Sequence, residues 1–130
     1  MIAVLGTSFF MMAVAILWYS ESLFLRPWLL SVGLSESDIE KAASHQKRNL
    51  MLTAVSYIVV VYLIARVVGY AQVNQLAIRE ISVYMALGFA ALLLGFVVWE
   101  QRSFTYYAVT VGFSTVFIVG STFFLYHWPW

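Results

Sequence analysis

Four long apolar stretches alternate with short polar ones along this chain, at about residues 2–19, 50–70, 81–99 and 104–127. Each approaches or exceeds the roughly 20 residues that carry an α-helix across bilayer hydrocarbon. None shows the ten-residue alternation of polar and apolar positions that a membrane β-barrel strand requires. Backbone amides find no water inside lipid, so stretches this apolar cross only as helices. The pattern predicts an all-α fold, a four-helix transmembrane bundle making one membrane domain over residues 1–130. The first stretch is the shortest. It lacks a preceding basic region, and Trp18-Tyr19 follows it instead of a small-residue cleavage site, so it is read as a retained span and not a secretion signal.

The sizeable polar segment is a helical loop at about residues 20–49. Pro27 suits a first helical turn, and Gly33 can close the same short helix in a left-handed cap. Trp28, Leu29, Leu30 and Val32 make that helix apolar enough to lie in the membrane interface. Ser35 then reads as an N-cap with Asp38 three residues on, and Glu36, Asp38 and Glu40 sit where a helix dipole favours anions. Ile39, Ala42, Ala43, Gln46 and Leu50 fall on one face at helical spacing. This helix is expected to run unbroken into the second span, with Lys47 and Arg48 at the membrane border.

Composition agrees with the pattern. Hydrophobic residues make up 63% of the 130-residue chain and charged residues 10%, against roughly 45–50% and about 25% in ordinary globular domains. The net charge of +1, with no run of five like charges, offers nothing to nucleic acid. Cysteine is absent, which excludes disulfides and thiolate metal centres. His45 and His127 lie far apart, so no metal site or cofactor is expected. Basic residues set the orientation. Arg26, Lys41, Lys47, Arg48 and Arg102 fall in the first and third loops against Arg79 in the second, which places those two loops in the cytoplasm and both termini outside. Trp18, Trp28, Trp99, Tyr106 and Tyr107 group at the inner interface, and Tyr70, Tyr126, Trp128 and Trp130 at the outer.

Few residues carry candidate chemistry. Arg66 sits about four positions inside the end of the second span, where an arginine is costly unless it pairs or snorkels. Tyr62 is one turn away on the same face, and Glu80 starts the third span at the same level as a candidate counter-ion. Two readings stay open for Arg66: a snorkelling or structurally paired arginine, or one facing an anion or substrate. Thr110, Ser114 and Ser121 form a hydroxyl stripe on the fourth span, but such hydroxyls can bond to the preceding turn of their own helix, so the stripe is read as structural ahead of a polar path. Gly88, Ala91 and Gly95 on the third span, and Ala108, Gly112 and Thr115 on the fourth, are faces that let helix backbones approach closely. Glu21, Glu100 and Arg102 sit at span ends, where solvation or a local pair accounts for the carboxylates ahead of a proton- or cation-binding role.

The junction after the first span carries a resemblance. Trp18, Tyr19 and Ser20 are followed by Leu23 and Phe24, then Trp28, then a Gly33-Leu34-Ser35 turn ahead of acidic residues. This run resembles the signature of a bacterial membrane family known as domain of unknown function 1761. Where that family has a proline or glycine shortly after Trp-Tyr-Ser, this chain has Glu21 and Leu25. Downstream the likeness rests on four spans, the Glu100–Arg102 turn and a tryptophan near the end. The resemblance implies a small bacterial inner-membrane protein and supplies no activity. On the residues alone, Trp18, Tyr19, Phe24 and Trp28 are bulky interfacial groups that hold the loop against the bundle.

The resulting expectation is an oligomeric transporter- or channel-like subunit, embedded in the bilayer as a homo-oligomer, with Arg66 and the hydroxyl stripe lining its pathway. The alternative is a non-catalytic accessory or structural protein that binds itself or another membrane protein. An enzyme is the weakest reading, because no nucleophile–base pair, metal-ligand set or cofactor motif is present.

Overall fold

The structure is a computed structural model that describes residues 1–35, 37–38 and 46–128. The described residues form helices and turns, with no strand: α1 (Ile2–Trp18), α2 (Leu25–Val32), α3 (Gln46–Val73), α4 (Ile78–Trp99) and α5 (Phe104–Tyr126). The expected run of one helix from Ser35 into the second span crosses residues 36 and 39–45, which lie outside the described ones.

Among the described residues, three stretches are long and apolar enough to cross a membrane: Leu50–Val73, Ile78–Val98 and Phe104–Tyr126. The expectation of four therefore stands at three by length, since α1 is apolar but only 17 residues long. It stops at Trp18 because the chain reverses there, with the Phe24 amide donating to the Trp18 carbonyl and the Leu25 amide to that of Ser20. Gly33 closes α2 with φ +71°, its amide donating to Leu29, as expected of glycine in a left-handed cap. Beyond it, the Ser35 hydroxyl and amide both donate to the Asp38 carboxylate, at 2.6 and 3.1 Å, and the Asp38 amide reaches back to Ser35 Oγ at 3.4 Å. That is the reciprocal bonding of a capping box.

The turns between long helices are built alike. At the end of α3 the Leu76 amide donates to Ala71 and the Gln75 amide to Gln72; at the end of α4 the Arg102 amide donates to Val97 and the Gln101 amide to Val98. Both are Schellman motifs, with Gln75 (φ +54°) and Gln101 (φ +53°) in the left-handed position that glycine usually takes.

Helix α5 is the hub. It packs against α4, α1, α3 and α2, whereas α4 touches α3 only slightly. Side chains of α1 and of the chain end fill hollows over glycines. A Cβ at Gly112 would meet the Trp18 ring at 3.0 Å, one at Gly120 would meet Met11 Cε at 2.8 Å, and one at Gly6 would meet the Trp128 ring at 3.6 Å. Because these pairings descend α1 as they ascend α5, the two helices are antiparallel. The seam between α1, α3 and α5 is closed by Met11, Val61, Ile64, Val68, Phe113 and Leu125, all buried.

Candidate functional site

Three places hold the candidate residues. The first is the junction of α1, α2 and α5. The Trp18 indole donates through Nε1 to the Val109 carbonyl at 3.3 Å, and its ring lies 4.6 Å from that of Phe24. Tyr19 meets Trp28 edge-on at 5.5 Å and Phe113 at the same distance. Tyr57 on α3 completes the cluster, 4.8 Å from Phe117. The Ser20 hydroxyl is buried in the turn without a hydrogen-bond partner among the described residues. From the α4–α5 turn, Arg102 pairs with Glu100 at 3.2 Å, lies 5.8 Å over the Tyr106 ring and donates a long 3.5 Å bond to the Val32 carbonyl. One arginine thus spans the turn and the end of α2, although half-exposed pairs of this kind contribute little stability.

The second place is a groove of about 350 Å³ between the first turn of α1 and the last three turns of α3, from Tyr62 to Val73. Tyr62, Ala65, Arg66 and Gly69 form its α3 wall, Val4 its α1 wall, and Gln72 its end. Arg66 and Tyr62 are exposed. Glu80 is not brought to Arg66: it lies exposed in the first turn of α4, and the one ion pair among the described residues is Arg102–Glu100. The reason is rotational. Arg66 is on the side of α3 that faces α1, whereas α4 packs mainly on α5 and meets α3 along its other face, around Leu63 and Val67.

The third place is the cleft where α3 and α4 diverge over α5, with cavities of about 240 and 320 Å³. Its lining is apolar apart from Ser56, Tyr57 and Ser114. The Ser114 hydroxyl donates to the Thr110 carbonyl at 2.8 Å, as Thr122 donates to Ile118 and Ser8 to Val4, each within its own helix. The Thr110 and Ser121 hydroxyls are buried without a partner among the described residues. Of the packing glycines, Gly112 lies under Trp18, whereas a Cβ at Gly88 or Gly95 would meet nothing within 4 Å. Both therefore face away from the rest of the chain. Among the described residues, no three His, Asp or Glu side chains come together to hold a metal ion.

The aromatic junction is where the sequence signature sits, and the likeness extends well beyond it. Residues 2–126 match the family described as protein of unknown function (DUF1761). The chain belongs to that family. No curated protein and no solved structure matches it. The signature's Trp18, Tyr19, Ser20, Phe24, Trp28 and Gly33 thus converge on a structural knot: the turn after α1, the cap of α2, and the face of α5 around Gly112 and Phe113. Sequence reasoning missed Tyr57, Gly6, Gly120 and Met11 as partners in this packing. The spacing of Gly112 and Gly120 along one helix was a signal, but the residues that fill those hollows come from elements far away in the chain.

Proposed function

We propose that this protein is a four-span membrane protein, with α1 as the fourth span, that works by lateral association with copies of itself or with another membrane protein. The observation that carries this reading is the filled interior. Met11, Val61, Ile64, Val68, Phe113, Phe117 and Leu125 close the seam between α1, α3 and α5, and the side-chain hydroxyls of Ser8, Ser114 and Thr122 are turned back onto their own helices. Among the described residues, the isolated Thr110 and Ser121 hydroxyls are set between these buried apolar side chains, which does not favour a continuous polar route through a single bundle. A transporter- or channel-like role would place its pathway between copies, not within one.

A face suited to association is that of α4, which carries Leu87 and Leu92 with the small Gly88 and Gly95 clear of the other helices. In lipid, such contact depends on close backbone approach rather than on the hydrophobic effect. Gly88→Leu and Gly95→Leu are expected to shift native mass in mild detergent towards monomer without altering helical content. Unchanged mass refutes association through α4. Flux into vesicles that depends on Arg66 but is indifferent to these substitutions would favour the transport reading instead. The orientation, with both termini outside a bacterial inner membrane, rests on the basic residues and the resemblance. Labelling of Lys41→Cys from outside intact cells would overturn it.

A further inference from the structure

The groove between α1 and α3 holds an unanswered charge. Arg66 makes no hydrogen bond, ion pair or ring contact among the described residues. It lies seven residues before the end of α3 at Val73, about 10 Å along the axis at 1.5 Å per residue. An arginine at that depth requires an anion, a water defect or a route to the surface. Snorkelling starts at a disadvantage here, because a helical Cα–Cβ bond tilts towards the helix N-terminus and hence away from the nearer end of α3. Glu80 does not supply the charge, as it begins α4, which contributes no residue to this groove and forms no ion pair with Arg66.

The surroundings fit an oxyanion carried on an apolar body. Tyr62 and Arg66 are one turn apart on the same wall, so a phenol O–H and a forked guanidinium face the same space. A guanidinium meets phosphate oxygens bidentately, which a point charge such as ammonium does not. Around those donors the walls are mostly apolar, Val4 from α1 and Ala65 and Val73 from α3, with the Gln72 amide at the end. At Gly69 a Cβ would meet nothing within 4 Å, so the floor of the groove is open beside the guanidinium.

We infer that this groove binds the phosphate of a phospholipid headgroup, with Arg66 and Tyr62 on the phosphate and an acyl chain against Val4 and Ala65. The shared chemistry is a phosphate oxyanion, and the apolar walls assign it to a lipid and not to free phosphate.

The test measures phospholipid retained by the purified, folded protein through successive detergent washes, read by native mass spectrometry after loading with phosphatidylglycerol vesicles. Arg66→Gln is expected to lower retention by about tenfold, the order of change for losing one charge-assisted pair. Arg66→Lys should fall between this variant and the parent. Gly69→Leu keeps the charge and has room for its side chain, so it should fold normally while filling the groove and releasing the lipid. Should Arg66→Gln fail to fold, Gly69→Leu alone decides the matter. Parent-like retention in both variants overturns the inference. So does Arg66-dependent binding of inorganic phosphate to the delipidated parent at affinities equal to its lipid binding, which would make the site one for a free anion.

Discussion

Gly112 and Gly95 are both helix-interior glycines in apolar spans, yet replacing each with alanine should change stability in opposite directions. An alanine in place of glycine gains about 1 kcal/mol of helix propensity at either position. At Gly95 nothing opposes that gain, since a Cβ there meets nothing within 4 Å. At Gly112 the new methyl would lie 3.0 Å from Trp18 Cζ2 and 3.4 Å from Cη2, closer than carbon atoms rest at their optimum of roughly 3.5–4.0 Å. The indole has little freedom to retreat. It is held by its bond to the Val109 carbonyl at 3.3 Å and by the Phe24 ring at 4.6 Å. Overpacking a confined site costs about 1–3 kcal/mol, so Gly112→Ala should be destabilised by roughly 1 kcal/mol net of its propensity gain. Gly95→Ala should be stabilised by about the same amount. The assay is thermal melting by circular dichroism in detergent, dilute enough for monomer to dominate. A difference of several degrees between the two variants is expected, at on the order of 3 °C per kcal/mol for a chain of this size. Trp18→Phe removes the two ring atoms that clash, so in the double variant the Gly112→Ala penalty should shrink by about 1 kcal/mol relative to additivity. If Gly112→Ala melts as high as Gly95→Ala, or if the double variant is additive, Trp18 does not pack on Gly112 as described.

Two further outcomes follow from the turns and the cap. Gln75→Gly and Gln101→Gly should each raise the melting temperature, because a left-handed φ disfavours a side chain by about 1 kcal/mol and both glutamines hold that conformation; a lowered melt would mean that their side chains contribute more than their backbone strain removes. The Ser35 hydroxyl and amide hold the Asp38 carboxyl below its ordinary value of 3.8. A carboxyl lowered on folding contributes its stabilisation above that value and loses it as pH falls through the lowered one. Protection of the Asp38 amide, taken relative to its intrinsic exchange rate at each pH, should therefore fall on acidification below 3.8, whereas Ser35→Ala should already show little protection at neutral pH. Equal exchange in parent and variant across that range would refute the capping role.

Much of this protein was legible from one dimension. Apolar length and the ban on unpaired amides in lipid dictate helices at α3, α4 and α5 whatever their neighbours. The chemistry of Gly33, Ser35 and Asp38 is equally local, since a left-handed cap and a capping box involve residues within four positions of one another. The hydroxyls of Ser114 and Thr122 likewise bond one turn back on their own helices. The turns after α3 and α4 were less readable, because glutamine occupies the position where glycine is the usual signal.

What periodicity could not supply is rotation and order around the bundle. In lipid every face of a span is apolar, so no amphipathic stripe marks the inward side. Gly88, Gly95 and Gly112 therefore looked alike, and only the packing separated Gly112, under Trp18, from the two that face outwards. The same ambiguity made Glu80 a partner for Arg66 by level along the membrane, while the turn of α3 towards α1 directs Arg66 into a different groove. Sequence by itself determined that this chain forms helices long and apolar enough to cross a membrane, and that Gly33, Ser35 and Asp38 build the caps around α2. Tertiary structure alone decided which faces meet, because helix association in lipid is fixed by the fit of particular side chains into particular hollows.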